Sequence, residues 1–103
     1  MPKLILCTTS DIKEAHDISN KLLDEKLVAC VNIIPSVESI YRWKGKIVSD
    51  KESILFLKTV DEKVKDTMTF IKKIHSYDVP EIIVIDLIDG FSDYFDFLKK
   101  ETL

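Results

Sequence analysis

Few residues in this chain can do chemistry, and they are far apart. There are two cysteines, Cys7 and Cys30, and two histidines, His16 and His75. Each cysteine sits inside an apolar segment, and no C-x-x-C pair occurs. A structural zinc site or a dithiol redox pair therefore lacks its ligands. In a reducing cytosol both cysteines are expected as free thiols. Two histidines cannot make a three-His metal centre within one chain. A metal would need mixed ligands, or donors from several chains. Only two glycines, Gly45 and Gly90, are present. That excludes the dinucleotide-binding glycine fingerprint and the P-loop, which need two or three glycines at fixed spacing. No G-x-S-x-G elbow and no H-E-x-x-H is found. Nothing forms a nucleophile–base–orienter set.

The elements that must position these residues follow from local patterning. Lys3 to Thr9 is a β-rich opening run. Ser10 and Asp11 offer a helix N-cap, with Glu14 as capping-box partner. Ile12, Ala15, Ile18 and Leu22 then make one face of a helix ending near Asp24 to Lys26. Val28 to Trp43 reads as a long strand, with Val37, Ser39, Tyr41 and Trp43 on one face. Pro35 marks a bulge, bend or edge within it, because proline cannot donate to a ladder. Lys44-Gly45 is the turn, and Lys46 to Thr59 returns as a second long strand. Arms this long exceed the usual strand length and invite pairing with another subunit. Asp61 caps a second helix carrying Val64, Met68, Ile71 and Ile74. The stretch His75 to Pro80 breaks it, and Ile82 to Ile88 is a short buried strand. Ser92 caps a last helix, Tyr94 to Lys100, with Phe95 and Leu98 inward. The charged stretch Asp61 to Lys73 is the wet face of the second helix.

The order β-α-β-β-α-β plus a terminal helix is the ferredoxin-like, split β-α-β arrangement of an α+β fold. It sets the fourth strand antiparallel beside the first. The loop from His75 to Glu81 is thereby brought towards Cys7.

With 103 residues the chain makes one domain spanning 1–103. It is 46% hydrophobic and 32% charged, which is enough apolar material for a core and too much for disorder. A net charge of −3 argues against nucleic acid as a partner. The longest apolar run, Leu27 to Val31, is far short of the roughly 20 residues a membrane span needs. The opening MPKLILCTTSD is too short for a signal peptide, so a cytoplasmic location is the expectation.

Two long stretches resemble the signature of the CutA family of divalent-cation tolerance proteins. They are Val28 to Ile47, with Tyr41, Trp43 and Gly45, and His75 to Ile83, with Tyr77, Pro80 and Glu81. Leu6-Cys7-Thr8-Thr9 and Tyr94-Phe95-Asp96-Phe97-Leu98 fit as well, so the resemblance spans the chain in order. It implies a homotrimer of ferredoxin-like subunits in which the long hairpin arms complete sheets between subunits. It also implies a cytoplasmic, non-enzymatic role tied to copper or another divalent metal. Some relatives bind copper through a thiol in the first strand and two adjacent histidines before the last core strand. Cys7 occupies the thiol position and His75 the second histidine position. Ile74, which cannot ligate a metal, stands at the first, and Ser76 stands where a proline is usual.

Each of these residues also has a plainer reading. Thiolate and imidazole suit copper, but most free cysteines in strands are small buried hydrophobes. His75 at a helix end is favoured there by the dipole. His16 lies among Glu14, Asp17 and Asn20 on a solvated face, and Cys30 lies within an apolar run. Tyr41 and Trp43 pack an interface or wall a ligand cleft. Cys7, Lys58, His75, Tyr77 and Glu81 are the candidates to line such a cleft, with Lys58 an anion ligand or the partner of Glu81. The alternatives to metal response are a trimeric small-molecule sensor of the PII type, which binds ligands between subunits, an enzyme using Glu81, His75 or Lys58, and a structural assembly block.

Overall fold

The computed structural model describes residues 1–103. The elements are β1 (Pro2–Thr9), α1 (Ile12–Asp24), β2 (Cys30–Trp43), β3 (Lys46–Val60), α2 (Asp61–Ile74), β4 (Ile82–Asp86) and α3 (Ser92–Lys100). The four strands form one antiparallel sheet in the order β2-β3-β1-β4. This is the ferredoxin-like arrangement expected from the element order. Cys7 pairs with Ile82, so β4 starts beside the end of β1 as that topology requires.

Alternation decides which residues enter the core. Ile5 and Cys7 on β1, with Leu55 and Leu57 on β3, point to the side covered by α1 and α2. Ala15, Ile18 and Leu22 on α1 and Ile71 on α2 close over them, all fully buried. The α3 helix packs instead on β3 and β1 with Leu98 buried. Its Tyr94 reaches Cys30, which shares a sheet face with its pair Lys58. Thus α3 lies over the face opposite α1 and α2. No helix is long and apolar enough to cross a membrane.

Local chemistry explains the ends of α1. The Asp11 carboxylate accepts the Glu14 N–H at 2.8 Å, and Glu14 reaches back to the N–H and hydroxyl of Ser10, each at 3.0 Å. This is a capping box displaced by one residue on its return side, since Asp11 caps and Glu14 bonds Ser10 just before it. Asp11→Ala is expected to cost about 1 kcal/mol in urea unfolding. At the other end Lys26 adopts φ 56°, and the N–H groups of Lys26 and Leu27 return to the Leu23 and Leu22 carbonyls at 3.0 Å each. That Schellman closure then places Leu27 towards the core.

Two expected caps differ. Asp61 and Ser92 are the first residues of their helices rather than caps, and neither α2 nor α3 has a side-chain N-cap bond. The Asp61 carboxylate is engaged by Lys3 at 3.1 Å. Also, β4 is an edge strand whose Ile83, Val84 and Ile85 are exposed, not the buried strand its composition suggests.

The hairpin is long: β2 and β3 stay paired from Cys30↔Lys58 to Trp43↔Lys46. Pro35 falls in a bulge between Ile34 and Val37, and the Ser53 hydroxyl donates to its carbonyl at 2.9 Å. Lys44 and Gly45 turn the chain with φ of 48° and 79°, the left-handed pair a tight hairpin needs. Since β1 ends at the pair Thr9↔Ser53, Val37–Trp43 and Lys46–Glu52 project past it as a free arm. The molecule is accordingly 44 Å long and only 22 Å thick.

Candidate functional site

The projecting arm and the loop after α2 build one cleft. Directly paired residues share a face, so Tyr41 and Trp43 on β2 stand on the same side as Asp50 and Glu52 on β3. The loop Tyr77–Glu81 comes up against that face at the end of β1. Between them lies a cleft of about 450 Å³ walled by Thr8, Tyr41, Trp43, Tyr77 and Val79. Four carboxylates, Asp50, Glu52, Asp78 and Glu81, complete its lining, and no lysine, arginine or histidine does. Two of the carboxylates are anchored by phenols. The Tyr77 hydroxyl donates to Glu52 at 2.6 Å, and the Tyr41 hydroxyl donates to Asp50. Burial and the Glu52 bond raise the Tyr77 phenol's pKa, and the Asp50 bond raises that of Tyr41. Both stay protonated donors.

His75 holds this loop from behind. Its Nε2 lies 2.8 Å from the Thr8 carbonyl, which can only accept, so Nε2–H is the donor. Its Nδ1 then accepts the backbone N–H of Tyr77 at 3.0 Å. Glu14 lies alongside, taking the Ser76 N–H at 2.8 Å and standing 3.9 Å from Nδ1. Burial works against the Glu14 carboxylate, but bonds from Ser10 and Ser76 outweigh it and hold its pKa below the usual range. One capping residue of α1 thus ties the helix start to the loop that walls the cleft.

The copper pair implied by the resemblance does not fit these surroundings. A metal needs a free imidazole lone pair and a thiolate. The only lone pair of neutral His75 is taken by Tyr77. The Cys7 thiol is fully buried in the core between Ile5 and the helices. Burial, reinforced by the negative charges of Glu14, Glu81 and Glu52, pushes it up to about 12. Ile74 packs against the core, and no three His, Cys, Asp or Glu side chains converge on a point where an ion would sit.

The buried thiol carries a pH consequence. An exposed thiol ionises near its ordinary 9.0, whereas Cys7 in the fold holds its proton to about 12. The unfolded chain therefore releases this proton first as pH rises. Stability is full below pH 9 and falls between about pH 9 and 12. Cys7→Ala is expected to flatten that part of the stability–pH curve measured by urea unfolding.

The remaining candidates divide. Trp43, Tyr77 and Glu81 line the cleft. Lys58 is outside it, its ammonium bonded to the Asn32 side-chain oxygen, so it neither pairs with Glu81 nor faces the cleft. Cys7 and His75 lie behind the wall, linked to it through Thr8 and Tyr77. His16 is on the surface, and Cys30 is partly covered by α3. Asp50, Glu52 and Thr8 were not among the expected residues, whereas Asp78, expected with Glu81 as a further metal donor beside Cys7 and His75, lines the cleft instead. Counting back from the Lys44-Gly45 turn puts Asp50 and Glu52 on the face of Tyr41 and Trp43, so the register held that signal.

The comparisons agree with this architecture. Residues 3–101 match the family model of the CutA1 divalent ion tolerance protein. A divalent-cation tolerance protein CutA from Thermus thermophilus is 37% identical over 102 residues, covering 99% of each chain. The solved structure of a periplasmic divalent cation tolerance protein CutA from Archaeoglobus fulgidus superposes with a TM-score of 0.97 at 33% identity, covering 100% of both chains. That of divalent ion tolerance protein CutA1 from Ehrlichia chaffeensis gives 0.95 at 34% identity, covering 99% of this chain and 95% of that one. With a ferredoxin-like sheet, a projecting hairpin and full-length matches of this kind, the chain belongs to the CutA family of divalent-cation tolerance proteins.

Proposed function

We propose that this chain serves divalent-cation tolerance as a cytoplasmic homotrimer that binds and responds rather than catalyses. The observation that carries the assembly is the uncovered β4 edge. Its Ile83, Val84 and Ile85 are 46%, 37% and 40% exposed. Its outer backbone groups have no neighbour, and no proline or lysine interrupts Ile82 to Ile85. A bare apolar edge of this kind is a template for another strand. The free arm of a second copy is long enough to meet it. Copper, the metal of the resemblance, then acts on the assembly through donors other than Cys7 and His75.

The test is native mass spectrometry of chelator-treated protein, with and without one equivalent of copper per chain. A trimer is expected, and its copper uptake should be the same for Cys7→Ala. Lysine at both Ile83 and Ile85 is expected to leave a monomer, because paired strands would then bury unpaired charge. A wild-type monomer would defeat the reading.

The cleft itself favours the small-molecule part of the second reading, the trimeric sensor, although its walls come from one chain rather than from two subunits. Its volume of about 450 Å³ lies in the range of small-molecule sites, roughly 300–1,000 Å³. Loss of the copper response with retention of the trimer would move the function there.

A further inference from the structure

We propose that the cleft between the arm and the Tyr77–Glu81 loop binds an organic polycation, an aliphatic amine carrying two or more ammonium groups. This rests on the cleft of the sensor reading and on neither the trimer nor any metal.

Charge is the first argument. Four carboxylates line one concavity, and no basic side chain shares it. A concave site of one sign with protein walls focuses its field and concentrates counter-ions of the opposite sign. Shape is the second. An inorganic cation needs several oxygens about one point at roughly 2.0–2.6 Å. Here no three acidic, His or Cys side chains converge that way. The carboxylates are spread round a space of about 450 Å³, which suits charges spaced along an alkyl chain.

The third argument is the aromatic surface. Trp43, Tyr41 and Tyr77 supply the walls between the carboxylates. Aromatic faces hold ammonium groups by their quadrupole and cover methylene stems by apolar contact. Lys44 of the same chain sets its ammonium 5.9 Å from the Trp43 ring centroid, so the ring already attracts a cation, with which a ligand would compete. Preorganisation is the fourth. The phenols of Tyr77 and Tyr41 each take one oxygen of Glu52 and Asp50. The carboxylates are thereby fixed before a ligand arrives, with a second oxygen left on each for an ammonium.

The chain has a single tryptophan, Trp43, so its emission reports on the cleft directly. Chelator-treated full-length protein would be titrated with spermidine at low salt, following emission and heat. Saturable binding is expected, weakening as salt is raised. Glu52→Gln should weaken it about tenfold, as for loss of one charge-assisted bond. Glu81→Gln should do the same. That side chain is exposed and makes no bond in the fold, so folding of the variant is not at stake. Glutamate should give no signal. Absence of saturation, or wild-type affinity in both variants, would overturn the proposal. So would saturation by magnesium with no competition from spermidine, which would make this a metal site. If Lys44→Ser with Lys46→Ser is needed before spermidine binds, the occupant is the basic hairpin tip of a second copy and the proposal fails. None of these outcomes alters the trimer or copper results.

Discussion

His75→Ala should lower stability by about 3 kcal/mol and loosen the cleft without changing copper uptake. The cost comes from what the ring leaves behind. The Thr8 carbonyl and the Tyr77 N–H lose partners 2.8 and 3.0 Å away, at a site where the imidazole is shielded from water. Each orphaned buried group costs roughly 1–3 kcal/mol. The second effect is positional. Tyr77 follows His75 by two residues and anchors Glu52 through its hydroxyl. Once its backbone is free, that anchor weakens and Trp43 emission should shift. His75→Gln restores a donor towards Thr8 but leaves no acceptor for Tyr77 at the same time. It should therefore recover part of the stability and little of the Trp43 signal. The measurement is urea unfolding at fixed protein concentration, since any association contributes to stability. Loss of a copper equivalent in His75→Ala would reinstate the imidazole as a ligand.

Leu57→Ala should cost a comparable amount, about 2–5 kcal/mol, with no effect specific to the cleft. Leu57 lies on the central strand β3, paired with Ile5 on one side and Val31 on the other. It is fully buried beneath α1 and α2. The helix-side core contains only ten buried residues, so one cavity is a large fraction of it. Domains are stable by about 5–15 kcal/mol, so the variant is expected to sit close to unfolding at physiological temperature. Ile47→Ala on the arm is the control. Ile47 is 70% exposed, and its truncation should change monomer stability by less than about 0.5 kcal/mol. A Leu57→Ala protein as stable as wild type would mean that the helices do not close over the sheet as described.

The contrast between these two positions reflects what was legible in the residues. Leu57 belongs to an alternation that runs Ser53, Leu55, Leu57, Thr59, and such a pattern names a buried face without any three-dimensional knowledge. The capping box at Ser10 to Glu14, the Pro35 bulge and the Lys44-Gly45 turn were readable for the same reason. Each is decided by backbone groups within a few residues. Family membership was readable from two long motifs at fixed spacing. Asp61 and Ser92 mark where local rules run out by one residue, and the Asp61 carboxylate meets Lys3 of β1 instead of capping its own helix.

His75 is different. Its residue type allows a ligand, a cap or a strut. The choice depends on what meets each ring nitrogen, and those partners are Thr8, distant in sequence, and Tyr77. Lys58 was grouped with Glu81 by the same uncertainty, and the structure turns it to Asn32. The apolar run Ile82 to Ile85 announced burial but not by whom. Taken alone, the sequence determined the order of elements, the hairpin and its turn, and the family. These rest on periodicity and near-neighbour hydrogen bonds. Only the tertiary structure decided that the imidazole is a strut, that the thiol is sealed in the core and that four carboxylates share one aromatic cleft. Those outcomes depend on lone pairs, burial and charges contributed by strands and loops that meet only in the fold.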